Sequence, residues 1–197
     1  MSKQALLVMD VQKSIVDRIA GDADYLPRLR KAIDAANAAG IPVIYAVVGF
    51  RAGYPEVNPR NKMFGALRER AIGAGADMDV HPDVAPRPED VVVTKKRVSA
   101  FAGSDLEIVL RAGEIDSLVL TGIATSGVVL STLRQAADLD FGLTVLSDGC
   151  SDADPEVHRV LTEKVFPRQA DVVTVDEWVN IVRQLTTDGI RTDTPGL

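Results

Sequence analysis

Four short apolar runs in this sequence end in residues able to do chemistry. Leu6-Leu7-Val8-Met9 leads to Asp10, Val11 and Gln12, and a second run leads to Lys95, Lys96 and Arg97, then Ser99-Ala100-Phe101. A third closes on Thr121-Gly122-Ile123-Ala124-Thr125-Ser126-Gly127-Val128, and a fourth on Ser147-Asp148-Gly149-Cys150. Singly, each signal is weak, because an Asp at such a place also serves as a solvated or loop-capping residue and a Lys as a surface charge. Together, a carboxylate and an ammonium over one crevice favour each other's charged forms, and either can move a proton. The third run is more specific. Its residues from Gly122 to Gly127 are mostly small, so a ligand can approach the backbone, and N–H groups opening a helix through Val128 can receive a developing oxyanion. The same residues also read as a plain strand-to-helix turn capped by Thr125 or Ser126.

These residues need elements to position them. Runs rich in Val, Ile and Leu at 5–9, 43–48, 91–94, 117–120, 143–146 and 172–175 read as buried strands. Between them, 25–39, 106–111, 128–139 and 156–165 carry helical spacing, and 177–185 reads as a last helix. Asp154 before Pro155 is a helix start, and Gly40 before Pro42 is a helix stop followed by a strand. Strands alternating with helices imply right-handed βαβ units, hence an α/β three-layer sandwich with a six-stranded, mostly parallel sheet. In such sheets ligands bind beyond the carboxyl ends of the strands, where all four chemical runs end. The stretches 49–61 and 73–90 read as surface loops, and the tail 186–197 as a segment that frays or joins an oligomer contact.

Composition narrows the class. With 197 residues, 46% of them hydrophobic, the chain can bury one sizeable core, so residues 1–197 are expected to form a single domain. A net charge of -6 and the lack of any Lys/Arg-rich run argue against nucleic acid as a partner. No apolar stretch approaches the roughly 20 residues that span a bilayer, and the start reads as a strand rather than a signal segment. Cys150 is the single cysteine, which excludes an intrachain disulfide and fits a reducing, cytoplasmic location.

Three of the runs, in order and in spacing, resemble the motifs of isochorismatase-like hydrolases, the cysteine hydrolase superfamily: Leu7 to Gln12, Lys95 to Phe101, and Thr121 to Thr125 followed by a helix. The resemblance spans nearly the whole chain, continuing through Ser147 to Cys150 and the helix of His158. It implies that Asp10 stands where the family has its general base and Lys95 where it has its lysine. It further implies a cis peptide between Ile123 and Ala124, with an oxyanion hole from the backbone N–H groups of Ala124 and Val128. A homodimer or larger assembly and a small-molecule substrate are expected on the same ground. Gln12, Arg51, Tyr54, Arg97, Phe101 and Ser126 are candidate substrate contacts.

The departures from the family pattern carry as much information. Amidase members have a cysteine nucleophile six residues beyond the turn glycine, where this chain has Val128, and valine cannot form a thioester. Isochorismatases themselves lack that cysteine and hydrolyse a vinyl ether by acid catalysis, so Asp10 as proton donor with water as nucleophile is the leading expectation. A substitute nucleophile (Ser126, Thr125 or Cys150) and a catalytically silent binding fold are the alternatives. Nicotinamidase members bind zinc through an Asp and two His after the second strand, but here that loop begins Gly49-Phe50-Arg51-Ala52-Gly53-Tyr54 and has no His. No metal or other cofactor is therefore expected. In that loop Arg51, Tyr54, Asn61 and Phe64 suggest a substrate lid or dimer contact, with Arg51 able to clamp a carboxylate.

Overall fold

A computed structural model of the protein describes residues 3–19, 21–70 and 78–192. Among these residues, β1 (Gln4–Met9), β2 (Val43–Val48), β3 (Val91–Lys95), β4 (Ser117–Ile123), β5 (Gly142–Ser151) and β6 (Asp171–Val173) form one sheet in the order β3-β2-β1-β4-β5-β6. Every neighbouring pair is parallel. The helices are α1 (Lys13–Ile19), α2 (Tyr25–Ala38), α3 (Lys62–Glu69), α4 (Leu106–Ala112), α5 (Leu130–Asp138), α6 (Pro155–Val160) and α7 (Val175–Thr192).

The central strands are apolar at consecutive positions because both of their faces are covered. On one face Leu6, Val8, Val43 and Tyr45 pack with Leu29 and Ile33 of α2 and Trp178 and Val182 of α7. On the other, Ala5, Leu7, Ile44 and Leu120 pack with Leu110 of α4 and Leu133 of α5. Each such Leu or Ile contributes roughly 1.5–3 kcal/mol through removal of its side chain from water. Local chemistry sets the boundaries. Gly40 takes the left-handed φ of 68° that ends α2, and the Asp154 carboxylate accepts from Glu156 N and Val157 N at the start of α6.

Several boundaries differ from the sequence expectation. β5 runs on through Ser147 to Ser151, so Cys150 lies inside a strand opposite Gly122 rather than beyond it, after a register shift next to Leu120. The helix expected from Val128 begins earlier, as a π-helical turn over Thr125–Val129 that feeds α5. Two short helices, α1 and α3, leave no periodic trace in the sequence, since each offers only two buried residues. Of the two expected loops, 49–61 is described throughout and 73–77 of the second lies outside the described residues, as does 193–197 of the tail, while residues 186–192 continue α7.

The strand order has one functional consequence. From β1 the chain adds β2 and β3 on one side, then crosses to add β4, β5 and β6 on the other, so succession reverses between β1 and β4. Loops leaving these two neighbouring strands diverge there, which is where open parallel sheets bind their ligands.

Candidate active site

Asp10 stands at that reversal, one residue past β1, with φ at 55°. Its N–H donates to Ala46 O of β2, which fixes the backbone in a left-handed conformation that Asp tolerates better than most residues. Lys95 ends β3, two strands away and therefore roughly 10 Å across the sheet. Only a long side chain spans that gap. Lys95 reaches over the end of β2, and its Nζ lies 2.9 Å from Asp10 Oδ2 while donating to Arg97 O at 2.9 Å.

Both groups are withdrawn from water, Asp10 at 7% exposure and Lys95 at 2%. Burial penalises the carboxylate and pushes the Asp10 pKa up from 3.8 to about 6, against the opposing pull of the Lys95 ammonium. Asp10 Oδ1 has no hydrogen-bond partner. A carboxyl group with one oxygen held by an ammonium, the other free and a pKa near neutrality can exchange a proton in either direction.

β4 supplies the adjoining wall. Gly122 has φ at 145°, and a Cβ there would lie 2.3 Å from Met9 O, so only glycine lets β4 run this close to β1. The Ile123–Ala124 peptide is cis, and the π-helical turn follows directly. Val128 is 1% exposed and packs in the core layer with Phe101 and Leu133. From the next segment the Ala100 N–H donates to Thr132 Oγ1, and the Ser99 hydroxyl donates to Gln135 Oε1, tying the Lys95 connection to α5.

The isochorismatase domain model matches residues 4–177, which takes in Asp10, Lys95 and the turn after β4. The chain belongs to the isochorismatase family. It is 31% identical to the ureidoacrylate amidohydrolase RutB of Stutzerimonas stutzeri (strain A1501), over 92% of this chain and 80% of that protein. It is 33% identical to the isochorismatase family protein YecD of Escherichia coli O157:H7, over 89% of this chain and 94% of that one. In fold it resembles a cysteine hydrolase from Pseudomonas syringae pv. phaseolicola 1448A, with a TM-score of 0.85 at 23% identity over 92% of this chain and 93% of that one. The protein is thus a hydrolase of the isochorismatase family built on an all-parallel α/β sheet.

The other candidate residues of this isochorismatase-family site divide by what holds them. Gln12 is fully buried with its amide committed: Nε2 donates to Val48 O and Met78 O, and Oε1 accepts from Val48 N. It fastens β1 to β2 and has no amide hydrogen left over for a substrate. Arg51 is an exposed side chain, 72% accessible, paired with Glu56 at 2.6 Å. Arg97 donates to Glu56 O and Lys96 O and lies over the Phe64 ring at 5.7 Å, so it docks the loop after β2 against the Lys95 segment. Tyr54 is buried with φ at 54°, its ring against Phe50 and its hydroxyl without a partner. Phe101 is buried beside Phe141. Ser126 is exposed, and its N–H donates to Asp152 Oδ2 at 2.7 Å.

Cys150 is buried among apolar neighbours, and burial pushes its thiol up to about 12. Among the described residues no group of three or more His, Cys, Asp or Glu could hold a metal ion, and no helix is long and apolar enough to cross a membrane. His158 escaped sequence reading as a site residue. It is hydrogen-bonded to Thr125, 33 positions away, a pairing that no local spacing signals.

Proposed function

We propose that the protein hydrolyses a small molecule without a covalent intermediate, Asp10 moving the proton, Lys95 supplying electrostatic support and water acting as nucleophile. The observation that carries this reading is the dry Asp10–Lys95 pair, with a carboxyl pKa raised to about 6 and one oxygen unengaged. A protonated carboxyl of that strength suits an acid-catalysed step such as vinyl ether cleavage: Asp10 protonates the enol carbon, and water adds to the resulting oxocarbenium carbon. The hemiketal then collapses to a carbonyl and an alcohol, and the proton lost from the water returns to Asp10.

Val128, at the position of the family nucleophile, has no lone pair to attack with. Where the substrate is an amide or ester, backbone N–H groups of Ala124 and Val128 would receive the negative charge developing on its carbonyl oxygen. The amide chemistry named for the ureidoacrylate relative is compatible with the same groups if Asp10 takes a proton from water instead. The reading includes no metal. A thiol held at about 12 gives Cys150 little standing as a substitute nucleophile.

The test is intact-protein mass spectrometry during turnover, on substrates drawn from a panel of vinyl ethers, small amides and esters. Water as nucleophile predicts an unmodified protein mass throughout and solvent ¹⁸O in the product. An accumulating acyl adduct on any side chain would sink the proposal.

A further inference from the structure

The turn after Ile123–Ala124 is gripped at two successive residues. Thr125 Oγ1 and His158 Nδ1 are joined at 2.8 Å, and Ser126 N donates to Asp152 Oδ2 at 2.7 Å. Both grips come from one short stretch at the end of β5 and the start of α6, itself braced by Asp154, whose N–H donates to Asp152 Oδ1 and whose carboxylate caps α6. Thr125 is fully buried and His158 partly so, which keeps water from competing for the bond. The π-helical turn has particular need of such support. It closes through wide bonds, Val129 N to Ala124 O at 3.3 Å among them, which hold a backbone less firmly than regular helical ones.

We propose that His158 is a positioning residue: through Thr125, and together with Asp152, it holds the backbone of the 124–128 turn in the place where an oxyanion would be received. The role assigned to the turn rests on the function proposed above, whereas the clamp itself does not. In this proposal His158 acts through Thr125 rather than on the substrate. It sets where the N–H groups point, so its loss should slow the chemical step more than it weakens binding.

Four variants of the clamp and Asp10→Asn as a control test this, with two readouts. Amide hydrogen exchange should quicken roughly tenfold across residues 124–128 in His158→Ala and Thr125→Val, with β1 amides unchanged. His158→Asn, whose side-chain amide can replace the ring nitrogen as donor or acceptor, and Thr125→Ser should restore protection. Unaltered exchange of the turn in both disruptive variants overturns the clamp whatever the enzyme turns over. In kinetics, kcat should fall by about 10- to 100-fold with KM nearly constant in the two disruptive variants and recover in the two conservative ones. Full kcat in His158→Ala beside an inactive Asp10→Asn overturns the positioning role and leaves the proposed function standing. A fully active Asp10→Asn overturns the proposed function instead, and hydrogen exchange still decides the clamp.

Discussion

Asp10 and Cys150 sit at the carboxyl ends of strands on either side of β4, both buried and both ionisable. Burial acts on them in the same direction, disfavouring the charged form. Most of the gap between the two is already present in the free groups: the carboxyl rises from 3.8 to about 6 and the thiol from 9.0 to about 12, the carboxyl by the smaller step. The largest opposing influence on Asp10 is an ammonium 2.9 Å away, while Cys150 has only a backbone hydrogen bond and is pushed further by the charge of Asp148. Desolvation alone drives a buried acid's pKa upward without check. A counter-charge at hydrogen-bond distance keeps it within reach of a proton transfer.

The sharpest way to break this contrast is Asp10→Asn, which preserves shape and removes the proton carrier. Turnover should drop about 10²- to 10⁴-fold in steady-state assays. Activity retained by Asp10→Asn but lost in Cys150→Ser would place the chemistry on the other strand.

Lys95→Met tests the counter-charge itself. It strands a buried carboxylate, so unfolding free energy by denaturant titration should fall by about 3–5 kcal/mol at pH 8. The loss should shrink at pH 5, where Asp10 can be neutralised by its own proton; an equal loss at both pH values would contradict the coupling.

The third prediction concerns pH. The folded-state pKa of Asp10 lies above its ordinary value of 3.8, so the native state keeps this proton where the unfolded chain has lost it. The stability it contributes is therefore fully present below about pH 3.8 and is lost as pH rises through about 6. For acid-catalysed vinyl ether cleavage, kcat/KM should likewise decline above about pH 6, whereas a general-base route would make it rise through the same value. A profile flat from pH 5 to 7.5 removes Asp10 from either role.

The smallest effect is expected at Cys150. A serine hydroxyl there can donate to Leu120 O, near which the thiol already lies, so Cys150→Ser should leave turnover intact and shift stability by no more than about 1 kcal/mol. Thiol alkylation of the native protein should be slow for the same reason, with the sulfur buried and protonated.

The sequence by itself determined the layered α/β architecture, the strands and the polar residues at their carboxyl ends, while the choice of Asp10 and Lys95 among these came from the family resemblance. The first three rest on information that is local along the chain: consecutive apolar residues for strands buried on both faces, Asp154-Pro155 and Gly40 for helix ends, and polar residues placed just beyond strands. What local information lacks is distance across the sheet. Only the tertiary structure decided that Lys95 spans β2 to meet Asp10, because that depends on strand order. It also turned Gln12 from a candidate substrate contact into a fastener, since Val48 and Met78 come to its amide from elsewhere in the chain. Arg51 faces solvent beside Glu56, and Cys150 lies inside a strand, for reasons of loop path and register shift that no residue announces. The grip of His158 on Thr125 is the plainest case: the two side chains meet because β5 and α6 fold back beside the turn, a non-local packing event with no periodic trace in the sequence.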